Sequence, residues 1–221
     1  MVGTSPKEPG KYAVDVRGAQ GVQIGDGNQQ TNVFGPVHFY STEPGPASSP
    51  GQRGRGPWRV FLSHTGELAQ YPGDQSFVAT AKKAIERAGH VSVEMDTWTA
   101  SPSTPKETCE QRVRDCDVYA GIFGFRWGSP VRNDPDRSYA ELEFDTAQAA
   151  DLPRLAFVLP EDLELAVPRS FWIDEQYGDR QIAFRNRIDK SGLTRATVRS
   201  PQQLEVLLYQ ALTELTAAAS R

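Results

Sequence analysis

The sequence predicts an α/β fold of three layers, a parallel sheet with helices on both faces, preceded by an N-terminal arm that is disordered or β-prone. Three observations carry this expectation. Short apolar runs alternate with amphipathic stretches across connections of about a dozen residues, the pattern of strand–helix–strand crossovers. The run DVYAGIFG, 117–124, is apolar almost throughout, as suits a strand covered on both faces. Residues 1–57 hold many Gly, Pro, Ser, Thr and Gln and almost no continuous apolar pattern, so alone they cannot offset their own ordering entropy.

The domain is expected over 58–221. WRVFLSH, 58–64, reads as a short buried strand. Over 74–88, Phe77, Ala81, Ala84, Ile85 and Ala88 share one helical stripe, stopped by Gly89. HVSVEM, 90–95, is the next strand. Thr104, Pro105 and Glu107 supply an N-cap, a proline at the first helical position and a capping-box carboxylate for a helix over about 105–116. The strand at 117–124 leads to a loop with Trp127, Gly128 and Pro130, and Ser138 with Glu141 forms a second capping box opening a helix to about Ala150. LPRLAFVLP, 152–160, is the fourth strong strand. Phe171 to Lys190 contains a helix with Phe184 and Ile188 on one side, and LTRATVR, 193–199, is an edge-strand candidate. Ser200 starts a last helix whose Leu204, Leu207, Leu208, Ala211, Leu212 and Leu215 make a broad apolar stripe, most simply core. In such folds ligands sit beyond the carboxyl ends of the strands.

The net charge of −4 divides into five basic against four acidic residues before Trp58 and nineteen against twenty-four from there on, and the absence of a large basic excess argues weakly against a general nucleic-acid surface. Cys109 and Cys116 fall seven apart in one expected helix and are no disulfide framework; with three scattered histidines, no metal cluster stands out. The N-terminus shows no apolar signal core and no run of 18 apolar residues occurs, so no membrane role is expected and a reducing cytoplasm is the expected location.

Within the arm, four small β-prone islands fill 12–40, punctuated by Gly18, the Gly25–Asn28 turn signal and Gly35–Pro36, and 41–57 reads as a flexible tether. In GVQIGDGNQQTNVF, 21–34, Val22 and Ile24 alternate so as to fill a dry zipper. Gln23, Asn28, Gln29, Gln30 and Asn32 can stack as amide ladders between in-register chains. An ordinary hairpin or a merely sticky disordered arm is the alternative. Val22-Gln23-Ile24-Gly25, with Asn28 nearby, resembles the RHIM-like amyloid signalling motifs, whose core is V/I-Q-I/V-G. That resemblance implies self-assembly, and partners that carry a matching motif.

RVFLSH, RDCDVYAGIFGFRWGS and SYAELE together resemble the TIR-like domains of bacterial signalling and conflict proteins. The subgroup's pattern is FISS or FLSH, then E-C-D-x-Y-x-G-I-x-G-x-R-Y-G-S, then S-Y-T-E-L-E; here Trp127 stands for the tyrosine and Ala140 for the threonine. The likeness covers about 58–160 and implies a flavodoxin-like sheet. Many TIR domains cleave NAD at the nicotinamide–ribose bond, most often when several copies are clustered, so NAD is implied as a substrate and no cofactor is required. The serine-tryptophan-cysteine run of many active members is absent around Tyr139, and no GxGxxG fingerprint occurs near 121–128.

By this resemblance Glu141 is the catalytic candidate, a fixed carboxylate that favours the oxocarbenium-like charge developing on the ribose. It is equally a capping-box glutamate, and the two roles compete for one side chain. Glu143 is expected at the surface, and Asp145 on the same helix face as Glu141. Phe61, Ser63 and His64 at the end of the first strand are implied to line the nicotinamide side. Trp98 in the loop 96–104 is an exposed-aromatic candidate, Arg126 a partner for a diphosphate, and Trp127 either stacks on a base or seals the core. Three functions compete: an assembling signalling or immune effector, of the antiviral-defence kind, that cleaves NAD; a non-enzymatic adaptor; and an enzyme like the nucleoside 2-deoxyribosyltransferases.

Overall fold

Alternating apolar residues on two short strands and a fully apolar third dictate a sheet that needs a helical layer on each side, and this is the architecture observed. The computed structural model describes residues 56–95, 104–163 and 173–220. The arm's assembly candidates, Val22, Gln23, Ile24, Gly25 and Asn28, and the loop candidate Trp98 lie outside the described residues.

Five parallel strands form the sheet: β1 Arg59–Ser63, β2 Val91–Val93, β3 Val118–Phe123, β6 Arg154–Val158 and β7 Arg195–Thr197. Their spatial order is β2-β1-β3-β6-β7, with Phe61 opposite Tyr119 and Ala120 opposite Leu155 in the registers that join the centre. The chain runs outward from β1 to β2 and then returns to the other side of β1. That reversal leaves a crevice at the carboxyl ends of β1 and β3, where doubly wound sheets bind ligands.

The helices are α1 Gly66–Gln70, α2 Phe77–Arg87, α3 Pro105–Arg114, α4 Tyr139–Ala149, α5 Gly178–Asp189 and α6 Pro201–Ala219. On one face of the sheet Val60, Leu62, Val118, Ala120, Ile122 and Phe157 pack against Phe77, Ala81, Ala84 and Ile85 of α2 and Leu204, Leu208 and Leu212 of α6. The opposite face offers Phe61, Tyr119, Phe123, Ala156 and Val158 to Val113 of α3, Phe144 and Ala147 of α4, and Phe184 and Ile188 of α5. Of the α6 stripe, Leu204, Leu208 and Leu212 are core, while Leu207 and Leu215 pack against it only partly buried. Gly121 lies in β3 between Tyr119 and Phe123. A Cβ there would come within 2.4 Å of the Phe123 ring, so only glycine lets these rings meet Phe144 edge-on.

Both capping boxes form as predicted, at Thr104–Glu107 and Ser138–Glu141. Boundaries differ where local chemistry outweighs periodicity. Ser76 caps α2 through the Ala79 amide at 3.1 Å, so the helix starts at Phe77, the first residue of the apolar stripe, rather than at 74 where the expected span begins. Helix α3 ends at Arg114, which leaves Cys116 beyond its C-cap rather than in one helix with Cys109. Both thiols are buried and free. A small antiparallel pair, β4 Pro130–Val131 with β5 Asp134–Ser138, stands where a loop was expected. Its residues are mostly polar, and only Val131 and Ser138 are buried, so no period-2 signal announces it. Among the described residues no helix is long and apolar enough to cross a membrane.

Candidate active site

At the crevice lies a cavity of about 990 Å³. The β1–α1 turn contributes His64 and Thr65, and the start of α1 contributes Gly66 and Glu67; the segment after β3 contributes Arg126 and Gly128; α4 contributes Tyr139, Ala140 and Glu143; Asp174 and Tyr177 close another side. Gly128 makes its turn at φ +92°, a conformation glycine adopts without steric cost.

Glu143 is the carboxylate that α4 places on this cavity, and its position corrects the surface expectation. It is only 5 % exposed. The Ser63 hydroxyl donates to its Oε2 at 2.5 Å, and the Cys109 thiol approaches Oε1 at 3.9 Å. Burial and the nearby Glu143 charge raise the Cys109 thiol above its usual range, so it stays protonated as a donor. Ala140, Glu143 and Ala147 fall at i, i+3 and i+7, one inward stripe of α4. In the sequence a glutamate on that stripe is the signal for this position, and it stands two residues from the capping-box Glu141.

Glu141 points to the other side of the helix and does not line the cavity. Its Oε2 accepts from the Ser138 amide and from the Trp127 indole, both at 3.0 Å. Its Oε1 lies 3.4 Å from Arg187, which also binds Asp145 at 3.2 Å. Asp145 thus shares the Glu141 face, as the i+4 spacing predicts. Of the two roles open to Glu141, the cap is the one its geometry fills.

Trp127 likewise resolves to one of its two readings. It is wholly buried, packed on Tyr177 at 4.8 Å between ring centres and covered by the Arg180 guanidinium. A flat base cannot reach it. Phe61 is also fully buried, stacked on Tyr119, because strand alternation turns it into the core beneath α3 and α4. Ser63 is buried behind Glu143, while His64 and Arg126 do line the cavity.

Glu67 and Asp174 also line the cavity, and no local pattern in the sequence marks them. Glu67 is 9 % exposed and accepts from the Thr65 hydroxyl at 2.6 Å. Asp174 accepts from the Trp127 amide at 3.0 Å and the Tyr177 amide at 2.9 Å, pinning two cavity walls together. Beneath His64, Glu94 binds Lys82 at 2.8 Å and lies 3.9 Å from the imidazole. Burial opposes the Glu94 charge, yet the bonds from His64 and Lys82 hold its carboxyl below the usual range. Among the described residues no group of three or more His, Cys, Asp and Glu is arranged to hold a metal ion.

Among solved structures, the chain resembles the Clostridium botulinum CMP N-glycosidase BcmB. Identity is 15 %, coverage 69 % of this chain and 98 % of that one, and the TM-score 0.41. It also resembles the TIR domain heterodimer of RPS4 and RRS1, at 15 % identity, 73 % and 98 % coverage and a TM-score of 0.42. The TIR domains of the activated Roq1 resistosome follow at 14 % identity, 72 % and 84 % coverage and 0.38. No protein with a curated function matches the chain in sequence. The family model described as a domain of unknown function, DUF4062, matches residues 60–213, and the chain belongs to that family.

Proposed function

We propose that the chain is a signalling or immune effector that cleaves NAD at the nicotinamide–ribose bond, with Glu143 as the carboxylate beside the reacting ribose. The observation that carries this reading is the Ser63–Glu143 pair, a buried carboxylate oriented by a strand-end hydroxyl on the wall of the crevice cavity. Cleavage of the glycosidic bond develops positive charge at the sugar, and a preorganised carboxylate in a site of low dielectric lowers that barrier. The cavity lining is rich in carboxylates, with Glu67, Glu143, Asp174 and Glu175, which suits the cationic pyridinium of NAD. Arg126 on the same lining supplies charge for a phosphate. The volume lies near the upper end of ordinary ligand cavities, about 300–1,000 Å³, as a dinucleotide requires.

The same proposal assigns Val22, Gln23, Ile24, Gly25 and Asn28 to self-assembly and to pairing with proteins that carry a matching motif. Tethering then raises the local concentration of the domain. Its support is the VQIG spelling and amide-rich surroundings of that segment. Full-length chain at raised concentration should form thioflavin-positive fibrils that Ile24→Asp prevents; an Ile24→Asp chain that assembles as readily overturns the assignment.

Purified chain, soluble and assembled, incubated with NAD should release nicotinamide, most of it in the assembled state, and Glu143→Gln should abolish the release. Absence of nicotinamide in both states overturns the enzymatic reading and favours the adaptor, in which the domain only recruits partners.

A further inference from the structure

The Tyr119 hydroxyl is the odd group in an aromatic cluster. Phe61, Phe123, Phe144 and Phe184 pack with Tyr119 in one buried set, the Tyr119 ring stacked on Phe61 and edge-on to Phe144. A phenylalanine at this wholly buried position would fill the same space without the cost of desolvating a polar atom. Among the described residues the phenol oxygen has no partner in ordinary hydrogen-bond geometry. A buried donor in that state calls for an acceptor close by.

The register of the sheet identifies the acceptor. Ser63 stands opposite Gly121 across β1 and β3, and strand alternation puts Ser63, Tyr119 and Gly121 on one face. A Cβ at Gly121 would come within 3.0 Å of Tyr119 Cε1, so the ring lies over Gly121 and carries its hydroxyl end toward Ser63. Ser63 gives its one proton to Glu143 Oε2 at 2.5 Å, and its oxygen keeps lone pairs for a second donor. The Cys109 thiol approaches the other carboxylate oxygen at 3.9 Å. The polar groups nearest the phenol are thus those that hold the reacting carboxylate.

We propose that Tyr119 is a positioning residue for the reaction: its hydroxyl donates to Ser63 Oγ as Ser63 donates to Glu143, and a small tilt of the ring closes the contact. The inference rests on the reading of Glu143 as the carboxylate beside the ribose. Acceptor strength sets the direction of the chain. An ionised carboxylate accepts far more strongly than a phenol oxygen, so the Ser63 proton stays on the Glu143 side and Tyr119 is left to donate. Each bond then polarises the next, and the Ser63 hydroxyl is fixed from both ends. No proton changes owner. Tyr119 touches no substrate and acts on turnover only through Ser63.

The test compares full-length wild type, Tyr119→Phe, Ser63→Ala and the double variant in two readouts. Tyr119→Phe keeps the packed ring and removes only the oxygen. Nicotinamide release from NAD by assembled chain gives kcat and KM. Ultraviolet resonance Raman difference spectra between chains that differ only at position 119 isolate the Tyr119 ring doublet, whose intensity ratio reports phenol hydrogen bonding without reference to activity. The doublet should be that of a donor in the wild-type background and that of an unbonded phenol beside Ser63→Ala. Tyr119→Phe should lower kcat about threefold to tenfold with KM within about twofold, and should add nothing once Ser63 is alanine. Losses that multiply in the double variant overturn the positioning role. So does a wild-type doublet of an unbonded phenol, or one that Ser63→Ala leaves unchanged. A chain that releases no nicotinamide overturns the NAD reading, and a donor doublet lost with Ser63→Ala still upholds the Tyr119–Ser63 bond.

Discussion

Ser63 at the end of β1 and Glu143 in α4 stand eighty residues apart in the chain and share a 2.5 Å hydrogen bond. The bond exists because β1 and α4 meet at the switch point of the sheet, and it fixes which way a buried carboxylate faces. The fully buried Tyr119 hydroxyl lies behind the pair, and burial first, then the Glu143 charge, holds its proton far above the usual phenol range.

Replacing Ser63 by alanine should therefore act on turnover rather than on substrate binding. With its orienting donor gone, Glu143 loses roughly 1–3 kcal/mol of hydrogen bonding. A kcat reduced by at least about tenfold with KM nearly unchanged is expected in nicotinamide-release kinetics. A raised KM at unchanged kcat would mean that Ser63 contacts substrate instead.

Glu141→Ala should destabilise the fold. The substitution removes the reciprocal half of the capping box and strands the Trp127 indole N–H, which is otherwise satisfied at 3.0 Å. A cost of about 1–3 kcal/mol follows from a lost cap and a buried donor without an acceptor. Chemical denaturation checks it, and unaltered stability would contradict the capping role.

His90 predicts an acid sensitivity at the opposite end of the sheet. It is 7 % exposed and stacked on Trp58, and its Nδ1 accepts from the Trp58 amide at 3.2 Å, so Nε2 carries the proton toward Thr216 at 3.0 Å. Burial lowers its folded pKa, partly countered by Asp117. Between the lowered folded value and the unfolded value of about 6.5, the unfolded chain binds the extra proton more readily. The stabilisation is complete above about pH 6.5 and is lost as pH falls below it. Melting temperatures from pH 8 to pH 5 should decline in wild type, and less steeply in His90→Phe, which keeps the stack without the titrating group.

Arg185 ties two strand ends together. Its guanidinium donates to the carbonyls of Gly124 at 2.9 Å and Leu159 at 2.7 Å, and burial lowers its pKa. Arg185→Met should cost about 2–4 kcal/mol in denaturant titration, since these charge-assisted bonds have no substitute. A cost near zero would mean that water replaces them.

Much of the fold is legible in the sequence because its signals are local. The apolar run Val118–Phe123, the caps at Thr104 and Ser138 and the leucines of α6 each report their own surroundings. The site is less legible. Glu141 and Glu143 lie two residues apart, and a difference of two positions on a helix separates solvent-side ion pairing from a buried cavity wall. The TIR-like resemblance selected the first glutamate of SYAELE, whereas the stripe through Ala140 and Ala147 selects the second. Glu67 and Asp174 gave no sign, because their partners Thr65, Trp127 and Tyr177 become informative only once the chain is folded.

The most direct measurement compares nicotinamide release from NAD by assembled wild-type chain, Glu143→Gln and Glu141→Gln, each checked for folding. Loss of release in Glu143→Gln, with Glu141→Gln retaining most of it, is the predicted result. Wild-type release in Glu143→Gln, or a loss confined to Glu141→Gln, would contradict the assignment of the reacting carboxylate to Glu143.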